Sequence, residues 1–181
     1  EIPAPPELSA QLASLKPDDK GAIAAGEQLD LSPLALERRI KRSQIRAGFE
    51  VVTLTKKSRN QAVNFTLSLR IGDEKSLLGK THALEAAAAM LSRGTVSLDR
   101  IAFTDALEAN EAQLSIAASG QTLVASARAT ASTLLKTLEL VEDALKHPRF
   151  DELEFAAWRK EALSGLESAE TNPQALASNA M

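Results

Sequence analysis

Ala62-Val63-Asn64-Phe65-Thr66-Leu67-Ser68-Leu69-Arg70-Ile71 alternates without a break. Val63, Phe65, Leu67, Leu69 and Ile71 fall on one side, and Asn64, Thr66, Ser68 and Arg70 on the other. Successive side chains of a strand point to opposite faces. The stretch therefore predicts a half-buried antiparallel strand, apolar toward a core and polar toward water. Gly72-Asp73-Glu74 ends it. Upstream, Phe49, Val51 and Leu54 predict another strand from Gly48 onward, and Lys56-Lys57-Ser58-Arg59-Asn60 is a polar turn.

Downstream the period changes. Helical patterns cover 80–93 and 98–109, the second with Ser97 as its N-cap. Residues 111–118 and 122–129 predict two strands around the turn Ser119-Gly120-Gln121. Residues 132–146 are amphipathic, with Leu134, Leu135, Leu138, Leu140, Val141 and Leu145 as the stripe. His147-Pro148-Arg149 stops that helix, and 150–166 form a last one. The order is ββααββαα. It predicts an α+β domain, an antiparallel β-sheet with helices packed on one face.

Residues 1–44 read as an inter-domain linker segment and 45–181 as the domain. Ile2-Pro3-Ala4-Pro5-Pro6 is extended. Pro33 breaks any longer helix and can open a short one capped by Ser32. The chain starts at Glu1 without a Met and stops at Asn179-Ala180-Met181, so a piece of a longer protein is expected. No basic-then-apolar leader is present at this start.

With 181 residues, 44% of them apolar, there is material for one ordinary core. A net charge of −3 argues against nucleic acid or an acidic membrane as a partner for the whole molecule. The basic run Arg38-Arg39-Ile40-Lys41-Arg42 is read as a solvated segment beside the linker. There is no cysteine, which excludes disulfides and thiolate metal sites and suits an oxidising compartment. No stretch approaches the roughly 20 apolar residues of a membrane span.

Candidate chemistry is thin. A zinc hydrolase needs about three nitrogen or carboxylate ligands and a base beside the bound water. Only His82 and His147 exist. His147, before Pro148, reads as a helix C-terminal cap. His82 and Glu85 lie three apart on a helix and would touch a metal only weakly. No Gly-x-Ser-x-Gly elbow supports Ser/His/Asp catalysis. Gly72-Asp73-Glu74-Lys75-Ser76 shares only its Lys-Ser pair with a phosphate loop. Glu152, Glu154, Glu161 and Glu167, on a helix with Arg159 and Lys160, read as a solvated charged face. Trp158 there reads as a core or interface anchor.

Several spaced elements agree, in order, with one family. They are Arg46-Ala47-Gly48-Phe49-Glu50-Val51; Leu69-Arg70-Ile71-Gly72-Asp73-Glu74; the helix 83–93 with Met90-Leu91-x-Arg93-Gly94-Thr95; and 135–150 with its Asp-x-Leu-x-x-Pro-x-Phe exit. Together they resemble the M16 zinc peptidases, the family of insulin-degrading enzyme, pitrilysin and mitochondrial processing peptidase. The resemblance implies the M16 peptidase-like fold, of the LuxS-metallohydrolase type. It also implies an inverted His-x-x-Glu-His on the 83–93 helix. Counted back from Gly94, the histidines would fall at Glu85 and Ala89 and the glutamate base at Ala88. All three are missing. Family members carry a later zinc-binding glutamate on the last helix, near Glu161 or Glu167 here.

The flank Gly26-Glu27-x-Leu29-Asp30-Leu31-Ser32-Pro33-x-x-Leu36-Glu37-x-Arg39 resembles the linker between the halves of long, exported bacterial M16 proteins. Pro173-Gln174-Ala175-Leu176-Ala177 fits their continuation. The resemblance implies a catalytically inactive domain from the second half of such a protein, periplasmic or otherwise exported. No catalytic, cofactor-binding or metal residue is then expected in this chain. Zinc would sit in a catalytic M16 domain or subunit of the parent or partner, and a peptide or unfolded protein would be the substrate. This domain would close the chamber, bind substrate and pack against the catalytic half. The alternative is a stand-alone interaction or scaffold subunit. A residual enzyme on His82 and Glu85 is the least supported reading.

Overall fold

A computed structural model describes residues 26–171. The proline-rich start and the segment 173–177 lie outside the described residues. The chain divides into two compact units that part after Asn60.

In the first unit, α1 (Pro33–Arg39) leads into β1 (Ile40–Arg46), which pairs antiparallel with β2 (Phe49–Leu54). Ser32 occupies the N-cap position of α1 and Pro33 its first turn, as predicted, although the Ser32 hydroxyl makes no capping bond. The strand β1 falls largely in the stretch read as linker. Its sequence Ile-Lys-Arg-Ser-Gln-Ile-Arg has no apolar alternation, and its partner β2 makes it a strand. The basic run is not simply solvated: Arg39 pairs with Glu27 and Arg42 with Glu37. Arg39 also donates to the Thr55 carbonyl at 2.7 Å, and Glu27 accepts the Lys57 N–H at 3.2 Å. The Glu27 and Arg39 of the flanking motif are thus partners. The Arg39 guanidinium first, then the Lys57 N–H, hold the Glu27 carboxyl below its ordinary range.

The second unit opens on β3 (Ala62–Arg70). The helices α2 (Glu74–Leu77), α3 (Thr81–Leu91) and α4 (Arg100–Ala109) follow. Then come β4 (Gln113–Ser119), β5 (Thr122–Thr130), α5 (Leu134–Lys146) and α6 (Glu152–Glu170). The three strands form an antiparallel sheet in the order β3-β5-β4. This is an α+β chain with antiparallel sheets. The order differs from the expected ββααββαα by β1 and by two short helices, α1 and α2.

The predicted alternation in β3 holds across the sheet. Leu67, Ala125 and Ile116 stand side by side on one face, and Thr66, Ser126 and Ser115 on the other. The first face is the core. Ile116, Leu123 and Ala125 pack with Ala88 of α3, Phe103 of α4, and Val141 and Ala144 of α5. Small alanines on β5 let the helices approach closely. A Phe or Leu side chain fully buried this way contributes about 1.5–3 kcal/mol, and Phe103 is only 1% exposed.

Two helix starts differ from expectation. Asp99, not Ser97, caps α4, its carboxylate accepting the Ala102 N–H at 2.8 Å. Asp73 and Ser76 make a reciprocal capping box on α2, whose single turn follows the Gly72 bend. Among the described residues no helix is long and apolar enough to cross a membrane.

Candidate functional site

The helix α3 carries Glu85, Ala88 and Ala89, the positions at which the resemblance implies a zinc motif. Ala88 and Met90, on nearly opposite sides of the helix, are both buried, each 2% exposed, and Ala88 is the one in the core cluster. Glu85 sits one turn earlier on the surface. Its carboxylate lies 3.2 Å from Nδ1 of His82, whose side chain is 95% exposed. Ala89 is half-buried. Thus the three positions hold one surface carboxylate and two methyl groups. A methyl offers no lone pair to a cation and accepts no proton from water. Among the described residues no cluster of three or more His, Asp or Glu could hold a metal ion. The donor set does not fit zinc.

The end of α3 is built more firmly than its middle. Arg93 reaches α6, with one Nη donating to Glu154 at 3.1 Å and the other to Glu161 at 2.8 Å. Arg100, at the start of α4, shares Glu154 at 3.2 Å. The Arg93 side chain is only 13% exposed. Two of the four α6 carboxylates read as a solvated face are therefore spent on this clamp. The sequence shows Arg93 in the pattern that closes α3 but not its partners, because nothing local announces a carboxylate more than sixty residues away. Arg93→Ala should cost about 1.5–3 kcal/mol, the range for hydrogen bonds to charged groups. Urea denaturation would measure it, and Arg93→Lys should recover only part, since an ammonium lacks the planar fork. Trp158, also on α6, is half-buried and stacks on Phe155 with ring centroids 6.0 Å apart.

Beyond α3 the chain turns through Gly94 and Thr95 and is sewn to the exit of α5. The Val96 N–H donates to the His147 carbonyl at 2.9 Å, and the Arg149 N–H to the Gly94 carbonyl at 3.3 Å. Ser97 Oγ donates to Asp143 Oδ2 at 3.0 Å, and His147 Nδ1 lies 3.0 Å from Asp143 Oδ1. Serine, aspartate and histidine do meet here, but in an order that does no catalysis. A nucleophile needs the imidazole between itself and the carboxylate, whereas here the carboxylate is in the middle. His147 takes the C-cap position of α5, as the sequence predicts.

The Thr95 hydroxyl holds the Asp143 carboxyl below the ordinary aspartate range, partly opposed by desolvation. The Ser97 hydroxyl and His147 add to the lowering. A carboxyl lowered by folding stabilises the fold above its unfolded value, about 3.9. That contribution is lost as pH falls through the lower folded value. Asp143→Asn should therefore destabilise by about 1–2 kcal/mol at pH 7. The difference from the parent should shrink at the acid end of a thermal-melt pH series. A pH-independent difference would contradict it.

These features define a peptidase-like α+β domain with the frame of a metal-binding helix but other residues at its ligand positions. The chain belongs to peptidase family M16: the model of the insulinase family matches residues 51–181. No curated protein sequence matches it. Solved structures share the fold. An M16 peptidase inactive domain from Pseudomonas fluorescens is 21% identical with a TM-score of 0.67, over 77% of this chain and 34% of that one. The periplasmic protease PqqL from Escherichia coli is 16% identical with a TM-score of 0.59, over 87% and 17%. A variant of the ferredoxin protease FusC, in complex with Arabidopsis ferredoxin, is 17% identical with a TM-score of 0.56, over 83% and 18%. The chain thus spans about a third of the first relative and under a fifth of the other two.

Proposed function

We propose that this chain is a catalytically inactive M16 domain that works beside a zinc-bearing M16 half, in the same polypeptide or in a partner subunit. Residues 45–181 are its peptidase-like domain and 1–44 its connector. It packs against the catalytic half, closes the chamber and offers surface to an unfolded peptide. Export to the periplasm goes with this reading, which the absence of cysteine and the likeness to PqqL support. The observation that carries it is the Ala88 methyl, packed in the core where the family's motif puts its glutamate base. Glu85 and Ala89 complete the altered triplet, so neither of the first two zinc ligands nor the base is supplied by α3.

The test is zinc analysis of the purified chain together with hydrolysis of an unfolded fluorogenic peptide. Far less than one zinc per chain and no hydrolysis are expected. Stoichiometric zinc, with activity abolished by Glu85→Ala, would overturn the reading. A His-x-x-Glu-His upstream of Glu1 in the same reading frame would put the catalytic half in the same polypeptide.

A further inference from the structure

The sheet of the second unit has a second face that the core does not use. On it stand the outward residues of β3, β5 and β4, aligned row by row by the strand register. The chain has 24 Asp and Glu, yet none of these three strands carries one. The face does carry two cations, Arg70 and Arg128. Arg70 ends β3 beside Thr122, and Arg128 pairs across to Asn64 and Gln113. Six residues of strand separate their rows, about 20 Å. Between them lie hydroxyls, such as Thr66 with Ser126 at 3.4 Å, and the row Ser68, Val124 and Ala117.

Among the described residues neither arginine is neutralised by an ion pair. Arg70 donates one N–H to the Gln121 side-chain oxygen at 3.0 Å, which steadies its guanidinium without cancelling its charge. No carboxylate comes within ion-pair distance of Arg128 among the described residues. Glu108 and Glu111 line the same groove beside it without reaching it.

We infer that this face binds an extended, carboxylate-bearing polypeptide. On the strands themselves, two cations and no carboxylate favour the acid, against the two glutamates beside Arg128. Guanidinium forks grip carboxylates with two parallel hydrogen bonds. Hydroxyl side chains both donate and accept, so they can meet peptide groups of any sequence. The low relief of serine, threonine and alanine, with Val124 as the one branched apolar side chain between the arginine rows, lets a backbone lie flat against the strands. Single-stranded nucleic acid fits less well, because sheets that bind it stack bases on aromatic side chains. The outward positions of these strands hold no aromatic residue. The inference deepens the proposed handling of unfolded peptide by naming its charge class, and it rests on that reading.

The experiment is fluorescence anisotropy with the full chain at low salt. The probes are labelled extended 20-mers of Glu-Thr and of Lys-Thr repeats, and a single-stranded oligonucleotide. The acidic peptide should bind at least tenfold more tightly than the basic one, and the preference should fade with added salt. Arg70→Glu with Arg128→Glu should weaken acidic-peptide binding tenfold or more and leave the circular dichroism spectrum unchanged. Reversing two cations off the face, Lys80→Glu with Lys136→Glu, should change it less than threefold. Equal binding of both peptides, tighter binding of the oligonucleotide, or equal loss in the two double variants would overturn the inference. None of those results alters zinc content or hydrolysis, so failure here is distinguishable from failure of the proposed function.

Discussion

Gly94→Ala should destabilise the chain by about 2–4 kcal/mol, enough to move a urea midpoint by about 1–2 M. Gly94 has φ +113°, where an L side chain is strained. A Cβ built there would lie 2.9 Å from the Leu98 carbonyl oxygen and 3.1 Å from the Arg100 nitrogen. That same oxygen accepts the Thr95 N–H at 2.8 Å. The methyl would push on the acceptor that holds the turn closed, and through it on the first turn of α4. Backbone cannot swing aside as the end of a lysine can. Gly120 supplies the control. Its φ is +56°, and a Cβ added there would meet nothing within 4 Å, so Gly120→Ala should cost only about 1 kcal/mol. Equal costs at the two glycines would show that conformation alone, without the clash, sets the penalty at Gly94.

The glycine illustrates what the sequence could disclose. Gly94-Thr95 is a fixed point through its place in the family pattern, counting back from it gives the register that the resemblance implies for α3, and the positive φ of Gly94 supplies a physical reason for a glycine there. The alternation of β3 was readable because each residue declares its own side of the sheet. What stayed hidden depends on partners distant in the chain. Ser97 and Asp99 are both good caps by local chemistry. Ser97 is withdrawn from that role by Asp143, and nothing near residue 97 announces it. β1 has no apolar rhythm and is a strand because β2 pairs with it. Arg93 looks like any helix-end cation until α6 brings Glu154 and Glu161 to it. The positions that the family resemblance implies for two ligands and a base are legible as identities, Glu85 and Ala89 for the ligands and Ala88 for the base. Only the fold discloses that Ala88 belongs to the core while Glu85 faces water.

That distinction sets the second large effect. Ala88→Glu installs the residue type that the family resemblance implies at this position, and it should cost about 3–5 kcal/mol. The methyl is 2% exposed and packs with the Phe103, Ile116 and Ala125 cluster. A glutamate must insert two more methylenes and a carboxyl into that space, which overpacks it. Burial also raises the carboxyl's folded pKa above its unfolded value, about 4.3. The native state then binds a proton that the unfolded chain releases, so stability falls as pH rises from that value to the folded one. The deficit should therefore be larger at pH 8 than at pH 4. Ala88→Gln, of matching size, should show the overpacking with no such pH dependence. Urea melts of both variants at the two pH values separate the contributions. If Ala88→Glu proved as stable as the parent at pH 8, position 88 would open toward solvent or a cavity. The helix could then carry the motif's base, and the packing argument for an inactive domain would fall. The triple variant Glu85→His, Ala88→Glu, Ala89→His inherits the same burial cost. Installing the motif's residue types on α3 is therefore expected to loosen the domain before it gains any hydrolytic function.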